Sequence, residues 1–199
     1  MIFGGVEVNG VTFLAAKKVK ISVTHGKRIR ETSKDDEITF TKEDVDGLIL
    51  PHNDALVIYL NVLDFKIKRV LVDPGCSVNF IQLRVLKQAK LTRNIVHATN
   101  LLARFNLTSV STRGEIVLPT YAEWVTKSTF FEVMDRDMGY NVILGRLWIH
   151  GMKVVPSMYH KLLKFPTPDG IKQIIGDQIT TREMNAITLS GKKYEGINK

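Results

Sequence analysis

The sequence predicts a mainly β domain with one or two short helices, occupying residues 52–176 of a 199-residue chain. Three observations carry this. Leu56, Ile58, Leu60 and Val62 alternate with Val57, Tyr59 and Asn61, which is the period-two pattern of a strand. A second strand, 65–72, follows a Leu63-Asp64 turn and ends in Val70-Leu71-Val72, an unbroken apolar run that suggests burial on both faces. Residues 159–165 and 171–175 flank Pro166-Thr167-Pro168-Asp169-Gly170, a strong turn signal, and should pair as a hairpin.

Between these segments, Phe80, Leu83 and Leu86 recur at helical spacing beside Ile81, Val85 and Ala89, so a short amphipathic helix is expected over 80–91. Further strands are expected at 114–118, 129–134 and 152–155. Residues 1–50 are blocky in charge and read as a linker or tail, and 177–199 turn polar and read as a C-terminal tail.

The composition narrows the function. An apolar fraction of 44% supports a packed core, and no stretch reaches the roughly 18 apolar residues that span a bilayer, so no membrane partner is expected. The start, Met1-Ile2-Phe3-Gly4-Gly5, lacks the pattern of a signal peptide. Cys76 is the only cysteine, so no intramolecular disulfide forms. The expected location is therefore the cytoplasm or nucleus. The five histidines show no metal-ligand spacing, and neither a metal nor a cofactor is expected.

The net charge of +8 is concentrated in residues 51–165, where 15 basic residues face 8 acidic ones. Lys17, Lys18, Lys20, Lys27, Arg28 and Arg30 form a separate basic stretch without an acid, a candidate for contact with nucleic acid. No nucleophile elbow, zinc-protease helix motif or phosphate loop is present.

One acid stands apart. Asp73 follows Val70-Leu71-Val72 and opens Asp73-Pro74-Gly75, and a second apolar-plus-glycine segment, Val142-Ile143-Leu144-Gly145-Arg146, comes later. An acid at the end of so apolar a run is expected to be largely buried, and a buried carboxylate must be hydrogen-bonded, paired or protonated. Two such acids meeting across a two-fold axis would share one proton and act as a general acid–base pair on a water molecule. Spacing alone leaves open an ordinary Asp-Pro-Gly turn between strands.

Residues 54–165 resemble the retropepsin domain of plant gypsy-type LTR retrotransposon polyproteins. The likeness rests on Pro51-His52-Asn53-Asp54-Ala55-Leu56-Val57-Ile58, Arg69-Val70-Leu71-Val72-Asp73-Pro74-Gly75-Cys76-Ser77, Tyr140-Asn141-Val142-Ile143-Leu144-Gly145-Arg146 and Leu163-Lys164-Phe165-Pro166-Thr167. The resemblance implies a small closed β-barrel-like aspartic protease lobe, with Asp73 as the catalytic acid. Pro74, Gly75, Cys76 and Ser77 would complete the active-site loop. Gly145 would pack under that loop with Ile143 and Leu144 beside it, and Arg146 would brace the loop or a dimer. It also implies a flap between about residues 105 and 118 with Gly114 as its flexible point, activity as a homodimer, a peptide or polyprotein substrate, and a chain that is a fragment of a polyprotein.

Three residues depart from the family pattern. Pro74 stands where the family has Thr or Ser, whose hydroxyl and N–H tie the two subunits' loops together; proline supplies neither. Cys76 replaces a small Ala or Ser, and Leu147 a polar residue or proline. The leading expectation is thus an aspartic endopeptidase cleaving its own polyprotein. The alternatives are a catalytically degenerate remnant that only dimerises or binds peptides, and a basic nucleic-acid-associated fragment.

Overall fold

The computed structural model describes residues 37–97, 101–103, 109–122, 125–136 and 138–189. The basic stretch from Lys17 to Arg30 and positions 105–108 of the expected flap lie outside these residues.

Strands β1 (Val57–Val62) and β2 (Phe65–Val72) form the first hairpin, as their alternation predicts. The register slips between Ile58 and Leu60, and Arg69 adopts a left-handed backbone at φ 57°, so β2 carries a bulge opposite Tyr59. Strand β3 (Phe80–Gln82) runs directly into helix α1 (Leu83–Gln88). The helix expected over 80–91 therefore starts three residues late. Phe80, Ile81 and Gln82 pair with strands on both sides, and that ladder overrides the helical spacing of the side chains.

Strands β4 (Leu101–Ala103) and β5 (Ser109–Ser111) make a separate two-stranded sheet. The long hairpin of β6 (Gly114–Ala122) and β7 (Val125–Met134) follows. Along β6, Gly114, Ile116, Leu118, Thr120 and Ala122 are buried and the residues between them are not, so one face packs inward. Strand β8 (Val142–Leu144) then inserts between β2 and β3, and helix α2 (Arg146–Gly151) leaves its end. The result is a closed six-stranded barrel in the order β1-β2-β8-β3-β7-β6.

Ile58, Val70, Val72, Ile81, Phe131 and Leu144 fill the barrel at 2% exposure or less. Each such side chain stabilises the fold by about 1.5–3 kcal/mol relative to exposure. Three polar side chains inside form a chain: Thr120 and Thr129 share a 2.8 Å hydrogen bond, and the Trp148 indole donates to Thr120 at 3.3 Å. That contact pins α2 to the β6–β7 hairpin.

A three-stranded sheet of β9 (Val155–Ser157), β10 (Leu162–Thr167) and β11 (Gly170–Ile175) completes the strands. The expected hairpin is present, with Thr167 opposite Gly170. The strand expected at 152–155 begins only at Val155, because α2 occupies the residues up to Gly151.

Both expected tails behave differently from the sequence reading where they are described. Helix α3 (Gln178–Leu189) occupies the start of the supposed C-terminal tail. Asp177 caps it, with Oδ1 accepting the Thr180 N–H at 2.9 Å and Oδ2 accepting the Tyr59 hydroxyl at 2.6 Å. Gln178 exchanges hydrogen bonds with the Ile49 backbone at 2.9 and 3.1 Å, and Arg182 pairs with Asp54 at 3.0 Å. Upstream, Lys164 reaches Asp44 at 2.7 Å and the Thr39 carbonyl at 2.9 Å. Fully buried Lys161 donates its ammonium to the Ala55 carbonyl, and burial pulls its pKa down. These contacts are polar and distant in sequence, so no apolar periodicity announces them.

Candidate active-site loop

The loop 73–77 continues the parallel β2–β8 ladder. Val72 lies opposite Leu144, and the next amide, that of Asp73, donates to the Leu144 carbonyl at 3.0 Å. The chain then turns on the aspartate itself. Its Oδ1 accepts the Gly75 N–H at 2.9 Å, and its carbonyl accepts the Cys76 N–H at 3.1 Å. A methyl group on Gly75 would lie 3.1 Å from that Oδ1, so a residue without a side chain suits this close approach. The other carboxylate oxygen, Oδ2, accepts no hydrogen bond among the described residues.

Asp73 is half-buried rather than largely buried. The apolar run that predicts burial ends at Val72, and the loop leads out of the barrel. Pro74, Gly75 and Ser77 are exposed, while Cys76 is half-buried with its thiol 3.2 Å from the Val78 carbonyl.

Gly145 forms the floor. A methyl group there would stand 2.2 Å from the Val78 carbonyl oxygen and 2.7 Å from that of Cys76, so no side chain fits. Its N–H donates to Asn79 Oδ1 at 2.9 Å, and the next amide, of Arg146, donates to the Cys76 carbonyl at 2.8 Å. The bracing by Arg146 is thus through its backbone; its side chain is exposed. Leu144 is buried in the barrel, and Ile143 turns outward, half-buried.

Ile143 is directly opposite Leu71 on one side and Phe80 on the other. Paired residues share a face of the sheet, and each of these three is half-buried between inward neighbours. They form an apolar row on the outer face beside Asp73.

Gly114 requires a correction. It is the buried first residue of β6, at φ 144°, with the Val96 carbonyl 2.3 Å from where a Cβ would sit. It therefore anchors the base of the chain leaving β5 and is not a flexible point within the hairpin. The paired strands in this part of the chain are β4 and β5, which begin at Leu101 and end at Ser111, ahead of the 105–118 expected for a flap.

The sequence reading did not single out Asn79. It is 1% exposed and ties Gly145 to the Phe130 carbonyl, which its Nδ2 reaches at 2.9 Å. An amide embedded in Val78-Asn79-Phe80-Ile81 is the signal that could have marked it. Among the described residues, no cluster of three His, Cys, Asp or Glu side chains could hold a metal, and no helix is long and apolar enough to cross a membrane.

A closed barrel whose inserted strand ends in a glycine beneath one acid-bearing loop is the fold of a single retropepsin-like aspartic protease lobe. The retroviral protease-like domain of Ddi1 from Leishmania major superposes with a TM-score of 0.50 at 15% identity, over 63% of this chain and 96% of that one. A retropepsin-like aspartic protease from Rickettsia conorii matches at 15% identity and a TM-score of 0.40, over 59% of this chain and 79% of that one. The EIAV protease complexed with the inhibitor HBY-793 matches at 13% identity and 0.43, over 55% and 99%. No family model and no curated protein sequence matches the chain.

Proposed function

We propose that this chain is an aspartic endopeptidase that works as a symmetric homodimer, each copy supplying one Asp73. The observation that carries this reading is the loop itself: one carboxylate, with Oδ1 held by Gly75 and Oδ2 left without a partner among the described residues, above a glycine that admits no side chain. One lobe provides half of a dyad. Exposed Pro74, Gly75 and Ser77, with Leu147 at 51% exposure one residue beyond Arg146, give a second copy a surface to meet.

Two facing carboxylates share one proton and titrate as a unit. The ionised one takes a proton from water as its oxygen attacks the scissile carbonyl carbon. The protonated one polarises the carbonyl oxygen. Collapse of the tetrahedral species breaks the C–N bond, and a proton passes to the leaving nitrogen, giving a carboxylic acid and an amine. The row of Leu71, Ile143 and Phe80 suits apolar side chains next to the cleaved bond, with the β4–β5 hairpin as the covering flap.

The motif resemblance supports a finer assignment: a protease of a plant gypsy-type retrotransposon, acting on its own polyprotein in the cytoplasm or nucleus. A second reading is favoured by one residue. Pro74 offers neither hydroxyl nor N–H to the partner loop, which suits a remnant that keeps the fold without the activity. Cleavage of an unstructured peptide mixture at mildly acidic pH, blocked by a transition-state-type aspartic protease inhibitor, supports the enzyme; no cleavage under those conditions supports the remnant.

A further inference from the structure

The sheet of β9, β10 and β11 has an open edge at β11. Beyond the paired residues the Gly176 N–H donates to the Lys161 carbonyl at 2.6 Å, which continues the β10–β11 ladder by one step. Hydrogen-bonded and non-hydrogen-bonded positions alternate along an antiparallel pair. Gly170, Lys172 and Ile174 therefore turn their backbone groups toward β10, and Ile171, Gln173 and Ile175 turn theirs away. No described strand pairs on that side. The outward N–H and C=O groups of these three residues are a template for a further strand.

A groove of about 470 Å³ lies along this edge, against the outer face of the barrel. Gln173 and Ile175 line it from β11. Across it, Tyr121, Asn61 and Lys66 stand directly opposite one another on β6, β1 and β2, with Tyr59 beside them. Ile175 is 67% exposed and Tyr121 40%. No residue of loop 73–77 and no acidic side chain lines the groove. Lys66 lies over the Tyr59 ring at 5.0 Å from its centre, and Lys68 over the same ring at 5.9 Å. Neither lysine forms an ion pair among the described residues. The Asp177 carboxylate is taken up by the Tyr59 hydroxyl and by the amide and hydroxyl of Thr180. The groove thus combines unpaired backbone, apolar and aromatic surface, and positive charge.

We propose that β11 takes up an extended acidic peptide as an added strand, its backbone on Ile171, Gln173 and Ile175 and a carboxylate on Lys66. A second copy of this chain suits the groove poorly, because its own Gly170–Ile175 carries Lys172 and no acid. The inference does not depend on a role for Asp73.

The test is fluorescence polarisation of a labelled peptide of alternating valine and glutamate, titrated with the full chain. A valine–lysine counterpart and a valine–glutamate peptide N-methylated at every amide serve as comparisons. The acidic peptide should bind with one site per chain, and both comparison peptides about tenfold more weakly or less. Lys66→Glu, at an exposed position, should weaken the acidic peptide about tenfold. Gln173→Pro should do the same, because it removes an outward N–H that the β10 ladder does not use. The N-methylated peptide reads the backbone contribution whether or not the proline variant folds. Absence of acidic-peptide binding to the wild type overturns the proposal. So does equal binding of the lysine or N-methylated peptide, or binding that survives both Lys66→Glu and Gln173→Pro. Self-association of the wild type in sedimentation that Gln173→Pro abolishes would assign the edge to a second copy and also overturn it.

Discussion

The backbone N–H of Gly145 donates to the buried side-chain oxygen of Asn79 at 2.9 Å, across 66 residues of sequence. The other end of the same amide reaches the Phe130 carbonyl at 2.9 Å. One side chain therefore ties the end of β8, the exit of the Asp73 loop and strand β7. Removing it leaves a buried donor, the Gly145 N–H, unpaired at a cost of about 1–3 kcal/mol, and deprives the half-buried Phe130 carbonyl of a partner. Asn79→Ala should lower the melting temperature by several degrees and depress any peptidase activity further than the stability loss explains. A melting temperature within one degree of wild type, read as about 0.5 kcal/mol or less, would remove Asn79 from this role.

Gly145→Ala tests the floor of the loop directly. The added methyl group meets backbone on two sides, the Val78 and Cys76 carbonyls, neither of which can swing away as a side chain would. Overpacking of this kind costs about 1–3 kcal/mol. The variant should melt lower and lose activity together, and thermal melts with peptide cleavage on the same samples check both. Full activity in Gly145→Ala would mean that the loop does not depend on this contact.

Pro74→Thr should tighten dimerisation. Threonine restores a hydroxyl and an N–H in each subunit, four donors per dimer. At about 1 kcal/mol each the gain reaches a factor of about a thousand in the dissociation constant, reduced by any strain in a loop that now holds proline. Sedimentation of wild type and variant side by side reads this out. Equal dimer constants would show that the proline does not weaken the contact between loops.

Acid should loosen α3. Asp54 and Asp177 both titrate below the usual carboxylate range. Burial opposes the charge on each, but hydrogen bonds from Arg182 and Gln178 prevail at Asp54, and those from Thr180 and Tyr59 prevail at Asp177. A carboxyl whose folded pKa lies under its unfolded value of about 4 stabilises the fold above that pH, and the contribution disappears as pH falls through the folded value. Melting temperature should drop more steeply below about pH 4 in the wild type than in Asp177→Asn, which lacks one of the two titrating groups. Parallel curves would show that this carboxylate contributes nothing.

Limited proteolysis checks the same anchoring. The resistant fragment should keep Phe40 at one end and Met184 at the other, because Lys164–Asp44, Ile49–Gln178 and Asp54–Arg182 hold both segments to the barrel. A fragment ending near residue 176 would restore the reading of a C-terminal tail.

The barrel was legible where one face alone is buried. The alternation in 56–62 and in β6, and the turn residues between β10 and β11, each report a local pattern that tertiary contacts leave intact. The loop was legible because acid and glycines are required there by contacts within a few residues of one another or by a single close approach. Three features were not legible. Strand β3 is too short for its period to be told from that of the helix it enters. Helix α3 is held by Gln178, Arg182 and Asp177, whose partners lie more than a hundred residues away. Gly114 looks like a hinge in sequence, but the Val96 backbone pressed against it makes it a fixed point.

We propose Asp73 as the catalytic carboxylate of a dimeric aspartic endopeptidase. Cleavage of an unstructured peptide mixture at mildly acidic pH, by the wild type and by Asp73→Asn at equal concentration, tests it most directly. The substitution keeps the size of a half-buried side chain and the acceptor for the Gly75 N–H, so the fold should persist. The expected result is cleavage by the wild type, rising with the square of protein concentration while monomer predominates, and none by Asp73→Asn. Cleavage that survives in Asp73→Asn, or a wild-type rate strictly linear in concentration throughout that regime, would contradict it.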